Sequence, residues 1–184
     1  MTPEQIIKVR ERARTVYTEA QVEMAIDKMA SAITAELADR NPLLLCVMTG
    51  AVILTGKLAM RLDFPLQLDY LHVTRYRGAT SGGELLWKAK PQLALINRVI
   101  LIIDDILDEG LTLDSVVHWC REQGAAEVYT AVLVVKHHAH KLASIKADFA
   151  GLEAEDEYLV GYGMDYKGYL RNAPGIFAID EADR

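Results

Sequence analysis

Four carboxylates fall within six residues: Asp104, Asp105, Asp108 and Glu109 stand directly ahead of Gly110-Leu111-Thr112. Carboxylates accept hydrogen bonds from hydroxyls and can share a divalent cation. A glycine turn that opens a helix presents unpaired N–H groups and a positive dipole end, which suits a phosphate. A single Asp here would simply cap the next helix. Four neighbouring carboxylates repel and raise one another's pKa, so they fit a polyhydroxyl, phosphate-bearing ligand better than a cap.

The flanking residues say what positions this group. Val99-Ile100-Leu101-Ile102-Ile103 is short, apolar and mostly β-branched. It reads as a strand buried on both faces, as in a parallel sheet. A helical pattern follows from Leu113 to Gln123. Leu43-Leu44-Leu45-Cys46-Val47-Met48 is a second such strand, ending in Thr49-Gly50-Ala51 and a helix through Leu62. Taken alone, Thr49-Gly50 is a tight turn that needs glycine. Beside the acidic group it becomes a candidate anion loop. Val128 to Val135 is a third strand and ends on Lys136. At the carboxyl end of a parallel strand Lys136 faces where ligands bind, or snorkels out at the sheet rim.

The remaining segments set the frame. Residues 3–15 read as a weak helix, and Thr18-Glu19-Ala20-Gln21 is a capping box for a helix to Ala38. Leu66 to Val73 reads as a half-exposed strand. Thr74 to Gly83, rich in Gly, Ser and Thr and carrying Arg75 and Arg77, reads as a long mobile hairpin able to close over a site. His137, His138 and His140 read as solvated loop residues. Asp148 to Gly151 reads as a brief strand, Glu153 to Glu157 as a solvated acidic turn, and Ile176 to Ile179 as a last strand.

The 184 residues suit one domain, half of them hydrophobic, with a net charge of −6. That charge opposes a nucleic-acid binder driven by bulk electrostatics. The start, Met1-Thr2-Pro3-Glu4-Gln5, leads into a charged segment, and no stretch approaches the ~20 apolar residues of a spanning helix. The expectation is a cytoplasmic protein with no membrane or nucleic-acid partner. Cys46 and Cys120, in a strand and a helix, read as reduced buried thiols.

Residues 99–113 resemble the phosphoribosyl-diphosphate-binding signature of type I phosphoribosyltransferases: an apolar strand, two acidic residues, two apolar residues, an acidic residue and a loop with Gly and Thr. Lys136 after its strand, Asp148-Phe149, and Tyr158-Leu159-Val160-Gly161-Tyr162-Gly163-Met164-Asp165-Tyr166 with Tyr169 and Arg171 are similar to the hypoxanthine-guanine phosphoribosyltransferases. The resemblance implies a single α/β domain over 1–184, with a central parallel β-sheet flanked by helices (the type I phosphoribosyltransferase fold). It also implies a small hood from about 1–40 and 150–184 and a mobile loop over 74–84 presenting Arg75 and Tyr76.

The resemblance further implies roles. Asp104 and Asp105 would hold ribose hydroxyls and reach Mg²⁺, and Asp165 would bind it. Asp108 would be the general acid/base at N7. Glu109, Gly110, Leu111 and Thr112 would cradle the 5-phosphate, and Thr49, Gly50 and Arg171 would contact pyrophosphate. Lys136 would donate to the exocyclic oxygen of a 6-oxopurine, Tyr158 would stack on the base, and Leu159 with the backbone near Asp165 would meet its edge. The implied activity is purine salvage: phosphoribosyl transfer to hypoxanthine or guanine, giving IMP or GMP, by a homodimer or homotetramer. Thr49, Glu109, Leu111 and Arg75 depart from the family's usual residues. Xanthine or a pyrimidine as the base, or a phosphoribosyl-diphosphate-sensing regulator that binds nucleic acid, are the competing readings.

Overall fold

The computed structural model describes residues 1–75, 85–137 and 144–183. Tyr76 and most of the expected mobile loop, with His138 and His140, lie outside the described residues. The order is α1 (Pro3–Arg12), β1 (Arg14–Thr18), α2 (Glu19–Leu37), β2 (Leu43–Val47), α3 (Val52–Ala59), β3 (Gln67–Arg75) and β4 (Leu85–Ala89). Then follow β5 (Val99–Leu107), α4 (Leu111–Glu122), β6 (Glu127–His137), β7 (Phe149–Glu155), β8 (Leu159–Val160) and β9 (Gly175–Ala178).

Six strands form one sheet in the order β4-β3-β2-β5-β6-β7. All its pairings are parallel except β3 with β4. Strand β2 and the first half of β5 are buried throughout, as their unbroken apolar runs require. Helices α2 and α3 pack side by side, joined by Arg61, just past the end of α3, to Glu23 and Asp27 of α2. Trp119 of α4 stacks on Trp87 of β4 at 4.5 Å between ring centres.

A second, three-stranded sheet, β1-β9-β8, stands apart and is antiparallel. Ile6 and Val9 of α1 join Val160, Tyr166, Ala173, Phe177 and Ile179 in its own apolar cluster. The segments expected to form a hood divide here. Helix α2 and strand β7 pack into the main core, whereas β1, β8 and β9 build the small sheet, which α1 covers on one side and which also sends Leu159, Ile176 and Ala178 into the main core.

Several boundaries differ from the sequence reading. The first helix ends at Arg12, and Arg14–Thr18 pairs with β9 instead of continuing it. Helix α3 stops at Ala59, short of Leu62. Strand β6 runs two residues past Val135 because β7 continues alongside it, pairing Lys136 with Ala154 and His137 with Glu155. Asp148 lies just ahead of β7, where its carboxylate accepts from the Thr130 N–H and hydroxyl at 2.8 Å each. The acidic run is therefore half strand: Glu153, Ala154 and Glu155 close β7.

One ion cluster ties the layers. Glu23 accepts from Lys57 of α3, from Arg61 just after it and, at 2.6 Å, from the Tyr162 hydroxyl beyond β8. Burial would push Glu23 up, but the bonds from Lys57, Tyr162 and Arg61 outweigh it and hold the carboxyl at about 2 against an ordinary 4.5. A depressed folded-state pKa gives stability present above the unfolded value and lost as pH falls through the folded one. We expect Glu23→Gln to cost about 2 kcal/mol at pH 7. In urea unfolding, that gap should close between pH 4.5 and about 2. A gap independent of pH across this window would contradict the clamp.

Candidate active site

The sheet ends its parallel strands on one side, and the loops there enclose a cleft of about 680 Å³. Strand β2 delivers Thr49 and Gly50, β5 delivers Asp104 to Thr112, and the segment after β8 delivers Asp165 and Arg171. Ligands of open α/β sheets bind at this edge.

Burial makes the acidic pair unusual. Asp105 is buried and Asp104 partly so, and the Asp105 N–H donates to Asp104 Oδ1 at 2.9 Å. Burial, then the charge of Asp105, push Asp104 well above the ordinary 3.8. Asp105 is also raised by burial, offset in part by its bond with Asp104 and by Arg171. Glycine at 50 is what lets the two loops meet: a Cβ there would collide with the Asp105 carboxylate. Gly163, with φ of +110°, lies against the Gly50 carbonyl so closely that a Cβ would overlap it. Arg171 then spans Asp165, at 2.6 Å, and the Gly163 carbonyl. Asp165 also accepts from the Gly168 N–H at 2.7 Å.

The turn into α4 is free of side-chain caps. Gly110 takes φ of +82° as the capping residue, and no side chain caps the N–H groups there. A non-glycine residue would be strained there. The leading N–H groups of α4 thus open into the cleft. Glu109 is exposed and Leu111 partly so, which leaves the backbone as the anion-facing surface.

Lys136 is buried, and its ammonium lies 3.2 Å from Asp108 Oδ2 and 3.2 Å from Asp156 Oδ1. Its placement at the end of β6 is therefore inward, rather than snorkelled at the rim. Tyr158 is 42 % exposed and meets Tyr166 edge-on at 5.9 Å. Leu159 is buried in the main core.

A model of the phosphoribosyl transferase domain matches residues 13–167. The hypoxanthine-guanine phosphoribosyltransferase of Bacillus subtilis is 34% identical over 170 residues, covering 92% of this chain and 94% of the relative. The chain belongs to the hypoxanthine-guanine phosphoribosyltransferase family. The hypoxanthine-guanine-xanthine phosphoribosyltransferase of Tritrichomonas foetus is 30% identical, covering 92% of each chain. The crystal structure of a Staphylococcus aureus hypoxanthine phosphoribosyltransferase superposes with a TM-score of 0.86 at 27% identity, covering 91% of each chain. This chain is thus a phosphoribosyltransferase, an enzyme that transfers pentosyl groups.

Within this transferase the structure gathers most of the residues singled out from the sequence. Thr49, Gly50, Asp104, Asp105, Asp108, Glu109, Gly110, Leu111, Thr112, Asp165 and Arg171 line one cleft. Lys136, Tyr158 and Leu159 are outside its lining, and Lys136 reaches it through Asp108. Arg75 ends β3 at the cleft side of the sheet, and its side chain lies outside the described residues. His72, Thr74 and Lys88 also line the cleft and escaped the sequence reading. Strand alternation was the available signal for Lys88, which must face away from its apolar neighbour Trp87. Asp156 also pairs with Lys136, from a run whose composition reads as solvated.

The acidic pair carries a stability cost. A raised folded-state pKa favours folding below the unfolded value, and that contribution is lost as pH rises through the folded one. At pH 7 the ionised pair therefore opposes folding. Asp104→Asn is expected to raise the melting temperature of the ligand-free protein by about 3 °C at pH 7. A lower melting temperature for the variant would contradict this assignment.

Proposed function

We propose that this chain performs purine salvage, transferring the 5-phosphoribosyl group of phosphoribosyl diphosphate to hypoxanthine or guanine, with IMP or GMP and pyrophosphate as products. The observation that carries the reading is Lys136, buried and aimed at the cleft beside Asp108. A lysine ammonium donates and cannot accept. It therefore favours a purine with an oxygen at position 6 over one with an amino group there.

In the proposed reaction the bond from C1′ to the diphosphate oxygen breaks, and pyrophosphate leaves with the electron pair. The base nitrogen N9 bonds to C1′ as the N7 proton passes to the Asp108 carboxylate. Asp108 beside the base also favours the positive charge that builds on the ribose. Asp104 and Asp105 accept from the ribose hydroxyls, and the backbone N–H groups of 110–112 hold the 5-phosphate. Arg171 and Lys88 face the diphosphate, since Lys88 lines the cleft with no ion pair among the described residues. Tyr158 offers a ring face to the base, and Leu159 its edge.

The donor set fits Mg²⁺. The pair Asp104–Asp105 and Asp165 supply hard carboxylate oxygens, and the raised pKa of the pair is the electrostatic mark of a place that a cation would relieve. Among the described residues no three ligating side chains converge, which suits a metal that takes its other ligands from substrate phosphates and water. When bound, Mg²⁺ supplies charge neutralisation of the departing diphosphate. A homodimer or homotetramer acting in the cytoplasm completes the proposal. The free cysteines Cys46 and Cys120 support a reducing compartment.

Xanthine is the second candidate base, favoured by the activity for which the Tritrichomonas foetus relative is named. A turnover panel of hypoxanthine, guanine, xanthine, adenine and uracil with phosphoribosyl diphosphate and Mg²⁺ tests the reading. Nucleotide is expected from hypoxanthine or guanine and not from adenine. Asp108→Asn should lower turnover about 100-fold while sparing phosphoribosyl-diphosphate affinity. Absence of nucleotide from every oxopurine would overturn the proposal.

A further inference from the structure

The acidic run 153–157 stays largely exposed, yet three of its carboxylates have charged partners. Glu153 pairs with His137 at 3.1 Å, and Glu157 pairs with Arg14 of the small sheet. Asp156, with about half its side-chain surface exposed, reaches Lys136 with one carboxylate oxygen at 3.2 Å. The turn that carries it is held on both flanks. Parallel pairing fixes Ala154 beside Lys136, and the Tyr158 carbonyl accepts from the Ile179 N–H at 2.8 Å.

We propose that Asp156 is a positioning residue for base recognition: it holds the Lys136 ammonium in place when Asp108 turns to the base. This rests on the function proposed above. An ammonium has three donors. In the ligand-free protein two of them meet Asp108 and Asp156 at equal distance, 3.2 Å. Proton transfer at N7 requires Asp108 to give up its share. A buried ammonium left without a carboxylate is costly, and Lys136 keeps only about a tenth of its side-chain surface exposed. Asp156 stays as its partner through the reaction, while the freed donors meet the exocyclic oxygen.

The geometry also explains why one residue can align two recognition elements. Asp156 sits two residues before Tyr158, so its bond to Lys136 fixes the turn from which the stacking ring projects. The 6-oxo reader on β6 and the ring on the small-sheet side are thereby set relative to each other. Carboxylates on both flanks of Lys136 also disfavour a pose in which a base would present an acceptor to Asp156.

The test is steady-state kinetics of the full chain, wild type beside Asp156→Asn, Asp156→Ala and Asp156→Glu. Asp156→Asn keeps the side-chain shape and removes the charge. It should raise KM for hypoxanthine or guanine about tenfold, because the amide oxygen can still accept from Lys136 but no longer carries the charge that strengthens the bond. The KM for phosphoribosyl diphosphate and the melting temperature should stay near wild type. Asp156→Glu should recover most of the base KM, and Asp156→Ala, which removes the acceptor as well as the charge, should raise it at least as far as Asn. A merely structural role would move both KM values and the melting temperature together, and that result overturns the proposal. So does an unmoved base KM in Asn and Ala while wild type turns over. If wild type forms no nucleotide from any oxopurine, the function proposed above falls, and this role falls with it.

Discussion

Two carboxylates forced together at the closed end of a strand are the constraint on which this structure turns. Asp104 and Asp105 follow an apolar run that must be buried, so the backbone carries them into a region of low dielectric. No neighbour fully compensates them: burial raises both, and Arg171 offsets only part. Such a pair destabilises the folded chain, and hydroxyl donors or a cation would relieve it. The fold holds an unfavourable arrangement in readiness for a ligand that makes it favourable.

The surrounding contacts are the means of holding it. The loop at Gly50 presses on Asp105, and the Gly163 loop presses on Gly50, each at a position where a side chain would not fit. Glu23 locks the second of these loops through Tyr162 and locks α3, which follows the first, through Lys57 and Arg61. Arg171 closes the ring through Asp165 and the Gly163 carbonyl. On the other side of the cleft Lys136 performs the matching task with Asp108 and Asp156. Two satisfied charge networks thus flank one strained pair.

Much of this was legible in the sequence where the information is local. The strand at 99–103, its acidic end and the glycine turn form a contiguous pattern, and so do Thr49-Gly50 and the strand ending on Lys136. What was not legible depends on distant pairing. Arg14–Thr18 is a strand only because Gly175–Ala178 lies beside it. The run 153–157 reads as solvated because its composition is acidic, yet parallel pairing with β6 turns part of it into β7 and aims Asp156 at Lys136. Tyr162 and Glu23 lie 139 positions apart and meet through the fold alone. Resemblance assigns the chain ends to a hood, and how their apolar residues distribute over both clusters depends on pairing that the sequence does not spell out.

The most direct test of the central claim is the titration of the pair itself. Aspartate carboxylates labelled with ¹³C, assigned with the Asp104→Asn and Asp105→Asn variants, would be followed by NMR from acid to neutral pH. The account predicts that the free protein shows the pair titrating above the ordinary aspartate value of 3.8. Saturation with phosphoribosyl diphosphate and Mg²⁺ should bring it down. A pair that titrates in the ordinary range without ligand, or that the ligand leaves unmoved, would contradict it.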